Sequence, residues 1–116
     1  MSGLREEWRD LPGADILEEG LHDLEHGSET APALLLRIAE PRLAAVGILL
    51  PRASDGASEH ELTLYRLFRR ELGRDAYGRY NASLRRLVSL CQALELRAAR
   101  ARRQAATSPA ATRAPG

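Results

Sequence analysis

An apolar heptad repeat in the C-terminal half of the chain is the most regular pattern in the sequence, and it limits that half to a long helix. Small or apolar side chains recur there at alternating intervals of three and four residues. The repeat consists of Tyr77, Tyr80, Leu84, Leu87, Cys91, Leu94, Ala98 and Ala101. That spacing keeps one stripe of an α-helix facing a packing partner. The sequence therefore predicts a continuous helix over residues 76–103, about 40 Å long at ~1.5 Å per residue.

Apolar stripes and helix breakers predict shorter helices before this one. The first covers residues 4–11, and the second covers residues 14–26 and stops at Gly27, because glycine favours helix C-termini. A third helix begins at Ser28 or Thr30, either of which can cap it. Its dense leucine content predicts a central, largely buried helix.

Two further segments lie between the third helix and the long one. Residues 41–50 fit either a short helix opened by Pro41 or a four-residue strand, and we prefer the helix because no second strand-like run exists to pair with it. The capping box from Ser58 to Glu61 predicts the start of a helix that ends at Gly73. We expect an all-α fold, a compact bundle of four to six helices over residues 1–104.

The last twelve residues, 105–116, are small, aperiodic and contain proline, so the sequence predicts a disordered tail. A chain of 116 residues is long enough for one domain with one modest core. Only five residues are aromatic, and the remaining apolar content is Leu, Ala, Ile and Val, which favours helices over a β sandwich.

Composition also excludes several kinds of chemistry. All 17 basic residues are arginine, so a Schiff-base amine and the phosphate-binding lysine of a P-loop are excluded. Cys91 is the only cysteine, which rules out an internal disulfide framework or a four-thiolate zinc site within one chain. We expect Cys91 to be buried and to pack as a small apolar residue. We also expect the protein to be in a reducing compartment. The longest nearly apolar stretch, residues 43–50, is too short to span a membrane, and the start has no apolar leader segment. The expected location is cytoplasmic.

Two histidine patterns in the sequence resemble metal-binding or catalytic motifs. His22, Glu25 and His26 match the H-x-x-E-H spacing of a zinc site, but they lie on the polar side of their helix and no third ligand is evident. His60 beside Glu61 resembles an acid/base pair, although the capping box already explains Glu61. We predict that the protein is not an enzyme, with no catalytic residue, metal, cofactor or small-molecule substrate.

Charge is sorted along the chain. Residues 1–61 hold 13 acidic residues and five arginines, whereas residues 62–116 hold three acidic residues and 12 arginines. Three interpretations stay open: the acidic helix packs on the basic helices of the same chain, or the arginines bind an acidic protein, or they bind nucleic acid.

We expect a non-enzymatic interaction module, a small regulatory or accessory subunit that binds a protein partner or a second copy through its extended basic helix. The alternative is a small nucleic-acid-associated regulator, antitoxin-like by analogy of size and charge layout only. The predicted partner-binding residues are Leu87, Leu94, Arg85, Arg86, Arg97, Arg100, Arg102 and Arg103.

Overall fold

The computed structural model describes residues 8–51 and 57–107, with the backbone alone for residues 57, 58 and 107. Within these ranges all regular secondary structure is helical, which confirms the predicted all-α bundle. The α-helices are α1 (Ala14–Glu25), α2 (Ala31–Ile38), α3 (Glu40–Ala45), α4 (Ala57–Leu72) and α5 (Ala76–Thr107), and a 3-10 turn (Gly73–Asp75) joins the last two. No helix in the described part of the chain is long and apolar enough to cross a bilayer.

The first helix predicted from the sequence lies mostly outside the described residues. Its described end, from Trp8, is a 3-10 turn rather than a helix, closed by a 3.1 Å hydrogen bond from the Leu11 amide to the Trp8 carbonyl. Leu11 is buried, and Trp8 packs on the edge of the core. These two residues of the predicted first helix therefore lie against the core.

The end of α1 follows the glycine signal in the sequence. Gly27 adopts a left-handed φ of 73°, which glycine reaches without the steric cost of a Cβ. The amide of Ser28 then donates to the carbonyl of Asp23 at 2.8 Å, and the amide of Gly27 donates to the carbonyl of Leu24 at 3.1 Å. This is a Schellman motif, and it satisfies carbonyls that the helix end leaves unpaired.

Helix α2 is the centre of the bundle, as the sequence predicted. Thr30 caps it: its hydroxyl accepts from the Ala33 amide at 3.4 Å and donates to Asp23 at 2.6 Å. The leucines Leu34, Leu35 and Leu36 are all buried. Because α2 packs against α1, α3, α4 and α5, its side chains face other helices in every direction.

Helices α1 and α2 meet most closely at Gly20. A Cβ placed there would lie 2.5 Å from Cδ1 of Leu36 and 2.8 Å from the carbonyl oxygen of Pro32. Leu36 is fully buried, so it has little room to move away. In the sequence Gly20 was only a weak helix former, whereas in the fold its missing side chain allows the two helices to approach.

Residues 41–50 are helical only in their first half. Helix α3 ends at Ala45, and residues 48–50 form neither helix nor strand. Ile48 and Leu50 point into the core, while Leu49 between them is 79% exposed. The preference for a helix is thus confirmed up to Ala45 and wrong beyond it.

Helix α4 begins at Ala57, so Ser58 falls in its first turn. The side chain of Ser58 lies outside the described residues, and the capping box stays a prediction. The helix buries Leu64 and Phe68 against α2 and α5, and it ends at Leu72 before Gly73 as expected.

Helix α5 is longer than the sequence indicated. It continues to Thr107, three residues into the segment predicted as a disordered tail, and the rest of that segment lies outside the described residues. Its middle is buried against α4 and α2, through Leu87, Leu90, Cys91 and Leu94. The heptad repeat is therefore confirmed in its centre but not at its ends.

Candidate interaction surface

The C-terminal end of α5 projects beyond the described core and is strongly basic. Every described side chain from residue 100 to residue 106 is exposed. The helix carries seven arginines and one acidic residue, Glu95. It therefore concentrates positive charge on a surface that the rest of the described chain does not cover.

Some of the predicted partner-binding arginines are instead paired within the chain. Arg86 binds Asp15 at 2.5 Å, and Arg97 binds Asp10 at 3.2 Å. Both pairs join the basic helix to acids of the N-terminal half, but only Asp15 belongs to the acidic helix that the intramolecular interpretation expected to pack on the basic helices. Both are well exposed, so each contributes at most about 1 kcal/mol to stability.

In a third ion pair the arginine comes from the N-terminal half and the acid comes from α5. Arg42 of α3 donates from Nε and one terminal nitrogen to the two carboxylate oxygens of Glu95, each at 2.8 Å. This two-point contact lowers the pKa of Glu95, chiefly through the hydrogen bonds and further through the positive charge of Arg42. The one acidic residue of α5 is thus engaged by the chain itself.

The remaining charge segregation is not cancelled inside the molecule. Arg85, Arg100 and Arg102 are exposed, and none of them forms an ion pair with a described residue. The same holds for three exposed acids of α1, Glu18, Glu19 and Glu25. One reason is that α1 packs mainly against α2, while α5 packs mainly against α4.

Two predicted contact residues require a correction. Leu87 and Leu94 are only 4% and 5% exposed, because they fill the chain's own core. Leu87 lies in the core away from the groove described below, and Leu94 shows only a small edge to that groove. The apolar stripe of α5 stabilises the bundle, so the change Leu94→Asp is expected to destabilise the fold.

An apolar groove lies beside the basic end of α5. Its volume is about 440 Å³, and its walls come from Trp8, the end of α1, residues 46–51 and α5. The lining includes Leu21, Val46, Ile48, Leu49, Leu94, Ala98 and Ala101, with the charged residues Glu25 and Arg97 also present. Leu49 is the most exposed large apolar residue described, at 79%.

No pattern in the sequence indicates this groove directly. All of residues 41–50 were assigned to one short element, which hides the fact that Leu49 faces away from the core. The signal that was available is Gly47 after a six-residue helix, since a glycine there ends the helix and changes the direction of the residues that follow.

His22 and His26 lie together on the exposed surface of α1. Their ring centroids are 4.4 Å apart with an interplanar angle of 39°, and Nδ1 of His26 lies 2.8 Å from the carbonyl oxygen of His22. No group of three or more potential metal ligands occurs among the described residues. His60 is half-buried rather than exposed, which differs from the expectation for a first-turn position.

Cys91 is buried, as the sequence predicted. Burial raises the pKa of the Cys91 thiol, and this effect is larger than the opposing effect of the positive charge on Arg42. A buried thiol with a raised pKa is a poor nucleophile at neutral pH.

The fold and this surface define a small all-α protein whose open apolar groove has a basic projecting helix beside it. Comparison with known proteins adds no relative: no family model, no curated protein and no solved structure matches the chain.

Proposed function

We propose that the protein is a non-enzymatic, cytoplasmic interaction module, a small regulatory or accessory subunit that binds another protein through this groove and the basic end of α5. The occupant that fits is an amphipathic helix with an apolar stripe and acidic residues along one flank. The observation that carries the proposal is the position of the unpaired arginines Arg100 and Arg102, which lie on either side of the groove-lining residue Ala101 of α5.

The apolar part of the groove supplies the driving force for such a complex. A helix in a groove buries anchors spaced three and four residues apart. Leu49 and Val46 offer apolar surface on one wall, and Ala98 and Ala101 offer a flat surface on the other. Small alanine side chains allow a partner helix to approach closely, and the removal of this surface from water stabilises the complex.

The arginines supply orientation and selectivity. Arg100 and Arg102 attract acidic side chains of the partner, and the exposed acid Glu25, which lines the groove at the end of α1, repels them. A partner helix with acidic residues on one flank only is therefore held in one direction. Since these charges lie at the rim, we expect binding to weaken as salt concentration rises.

Nucleic acid is the alternative ligand for the same arginines. Arg85, Arg100 and Arg102 are exposed and available for phosphates. Two features favour protein instead: the acid-rich α1 contributes Glu25 to the same groove, and the groove is lined mainly by aliphatic rather than aromatic side chains.

A site-specific cross-link tests the proposal. We would place a photo-activated phenylalanine analogue at position 49 of the full chain in its native cells, then identify the cross-linked segment by mass spectrometry. The expected product is an acidic, amphipathic helical segment of another protein. Replacing Arg100 and Arg102 with glutamine should weaken the complex about tenfold, at up to ~1 kcal/mol for each exposed ion pair.

The matched control is glutamine at Arg66 and Arg70 of α4, which removes the same charge from exposed positions away from the groove. That variant should bind as strongly as the unmodified chain. Equal weakening by both variants would show that only net charge matters. Nucleic acid that co-purifies with the chain would be detected by its absorbance at 260 nm. If no cross-linked protein is found and this absorbance is lost when Arg100 and Arg102 are replaced, the nucleic-acid alternative is favoured.

A further inference from the structure

A second cleft lies at the turn between α4 and α5, formed by residues that do not line the groove described above. Its volume is about 400 Å³, and it is lined by Tyr65, Arg69, Gly73, Arg74 and Tyr77. Two aromatic rings and two guanidinium groups thus share one concave surface.

The backbone of the turn keeps this cleft open. Gly73 has a left-handed φ of 61°, and no other atom lies within 4 Å of the position that a Cβ would occupy. The chain therefore reverses from α4 to α5 without filling the space between Arg69 and Arg74. Glycine is needed here because of its positive φ value and not because a neighbouring atom packs against it. The space beside Gly73 therefore stays open.

The two tyrosines differ in how they are held. Tyr65 is half-buried, and its ring meets that of Tyr80 edge to face at a centroid distance of 5.5 Å and an interplanar angle of 83°. Tyr77 is 65% exposed, although the heptad repeat predicted it to face the core. One ring is therefore fixed and the other is available at the mouth of the cleft, an arrangement suited to stacking on a flat group.

Positive charge in the cleft is not neutralised by the described chain. Arg69 and Arg74 are exposed, and neither forms an ion pair with a described residue. The neighbouring acids Glu71 and Asp75 are also exposed, but they do not line the cleft. A concave surface with charge of one sign attracts an anion more strongly than a flat surface does.

From this combination we propose that the cleft binds a phosphate monoester carried by a flat aromatic group, such as a nucleoside monophosphate. Arg69 and Arg74 contact the phosphate oxygens, because the planar guanidinium matches a phosphate in two-point contacts. The aromatic group stacks on the tyrosines, as bases do on aromatic side chains. This site is independent of the partner-binding groove and does not rest on it.

The test is a titration of the full chain labelled with ¹⁵N, followed by the amide signals of Gly73 and Tyr77. The probes are adenosine 5′-monophosphate and phenyl phosphate, with inorganic phosphate and adenosine as comparisons. Saturable shifts are expected with both aromatic phosphates, at an affinity at least tenfold above those of the comparison compounds. The stronger of the two probes shows whether a nucleotide or a simple aryl phosphate fits better.

Variants separate the site from general charge effects. Replacing Arg69 and Arg74 with glutamine should reduce the affinity at least tenfold, whereas glutamine at Arg66 and Arg70 should change it less than twofold. Replacing Tyr77 with alanine should abolish the advantage of the aromatic phosphates over inorganic phosphate. Equal affinity for inorganic and aromatic phosphates in the unmodified chain, or equal loss in both arginine pairs, would overturn the proposal.

Discussion

Replacing Gly20 with alanine is expected to destabilise the protein, although alanine is the better helix former. In a helix interior alanine is favoured over glycine by about 1 kcal/mol. At this position, however, the new Cβ would lie 2.8 Å from the Pro32 carbonyl oxygen and 2.5 Å from Cδ1 of the fully buried Leu36. A backbone oxygen cannot move without displacing α2, so the clash is not relieved by a side-chain rotation.

The magnitude follows from these two opposing effects. Overpacking a buried site costs about 1–3 kcal/mol, and contact with both a backbone atom and a fully buried side chain places Gly20 in the upper part of that range. After the gain in helix propensity, the expected net loss is ~1–2 kcal/mol. For a domain of this size that lowers Tm by roughly 4–8 °C.

Gly78 provides a matched control on α5. It is also helical, but it is exposed, and no atom lies within 4 Å of its Cβ position. Alanine there is expected to stabilise the protein by about 0.5–1 kcal/mol. Urea unfolding followed by circular dichroism measures both variants. If alanine at Gly20 raises stability as much as alanine at Gly78, then α1 and α2 do not approach each other at Gly20, and the reasoning is refuted.

Two further predictions concern ionisable groups of α5. Cys91 is expected to resist iodoacetamide at pH 8 in the folded protein and to react only above the urea midpoint, because burial raises the pKa of its thiol. The extent of labelling is measured by mass spectrometry. Rapid labelling of the folded chain would contradict the placement of Cys91 in the core. Replacing Glu95 with glutamine is expected to lower the urea midpoint at neutral pH, because Arg42 holds the folded-state pKa of Glu95 below its ordinary value of 4.5. The contribution of a carboxylate with a lowered pKa is present above the unfolded-state pKa and disappears as pH falls through the folded-state pKa. The difference between the two proteins should therefore begin to shrink as pH falls below 4.5 and vanish only below the lowered folded-state pKa of Glu95. A difference that does not shrink on acidification would show that it does not come from the charge.

Local signals in the sequence accounted for most of the fold. Helix ends could be located because Gly27, Gly73 and Thr30 act through their own backbone and the next few residues. The central position of α2 followed from its leucines, since a helix that is apolar on all sides has to be covered on all sides.

The parts that were missed depend on residues far apart in sequence. The heptad repeat placed Tyr77 on the packed face, but the 3-10 turn sets the start of α5 so that Tyr77 is exposed. Leu87 and Leu94 belong to the apolar repeat of the long helix and were predicted to bind a partner. In the structure α4 and α2 together cover its middle, and only the last turns project.

The candidate surfaces likewise have one part that local sequence patterns indicate and another that depends on residues far apart in the sequence. The sequence indicated the arginines at the end of α5, because an excess of one charge is visible in any segment. It did not show which arginines are paired, since Arg86 and Arg97 bind acids more than 70 positions away. Nor did it show the groove, whose walls come from four separate segments.

By itself, therefore, the sequence determined the helical class, several of the helix ends and the segregation of charge, because periodicity, capping and composition act over a few residues. Tertiary structure decided which leucines form the core, which charges remain unpaired and where concave surfaces occur. Those properties depend on how helices distant in sequence pack together, as the contact between Gly20 and Leu36 illustrates, and no local pattern encodes that geometry.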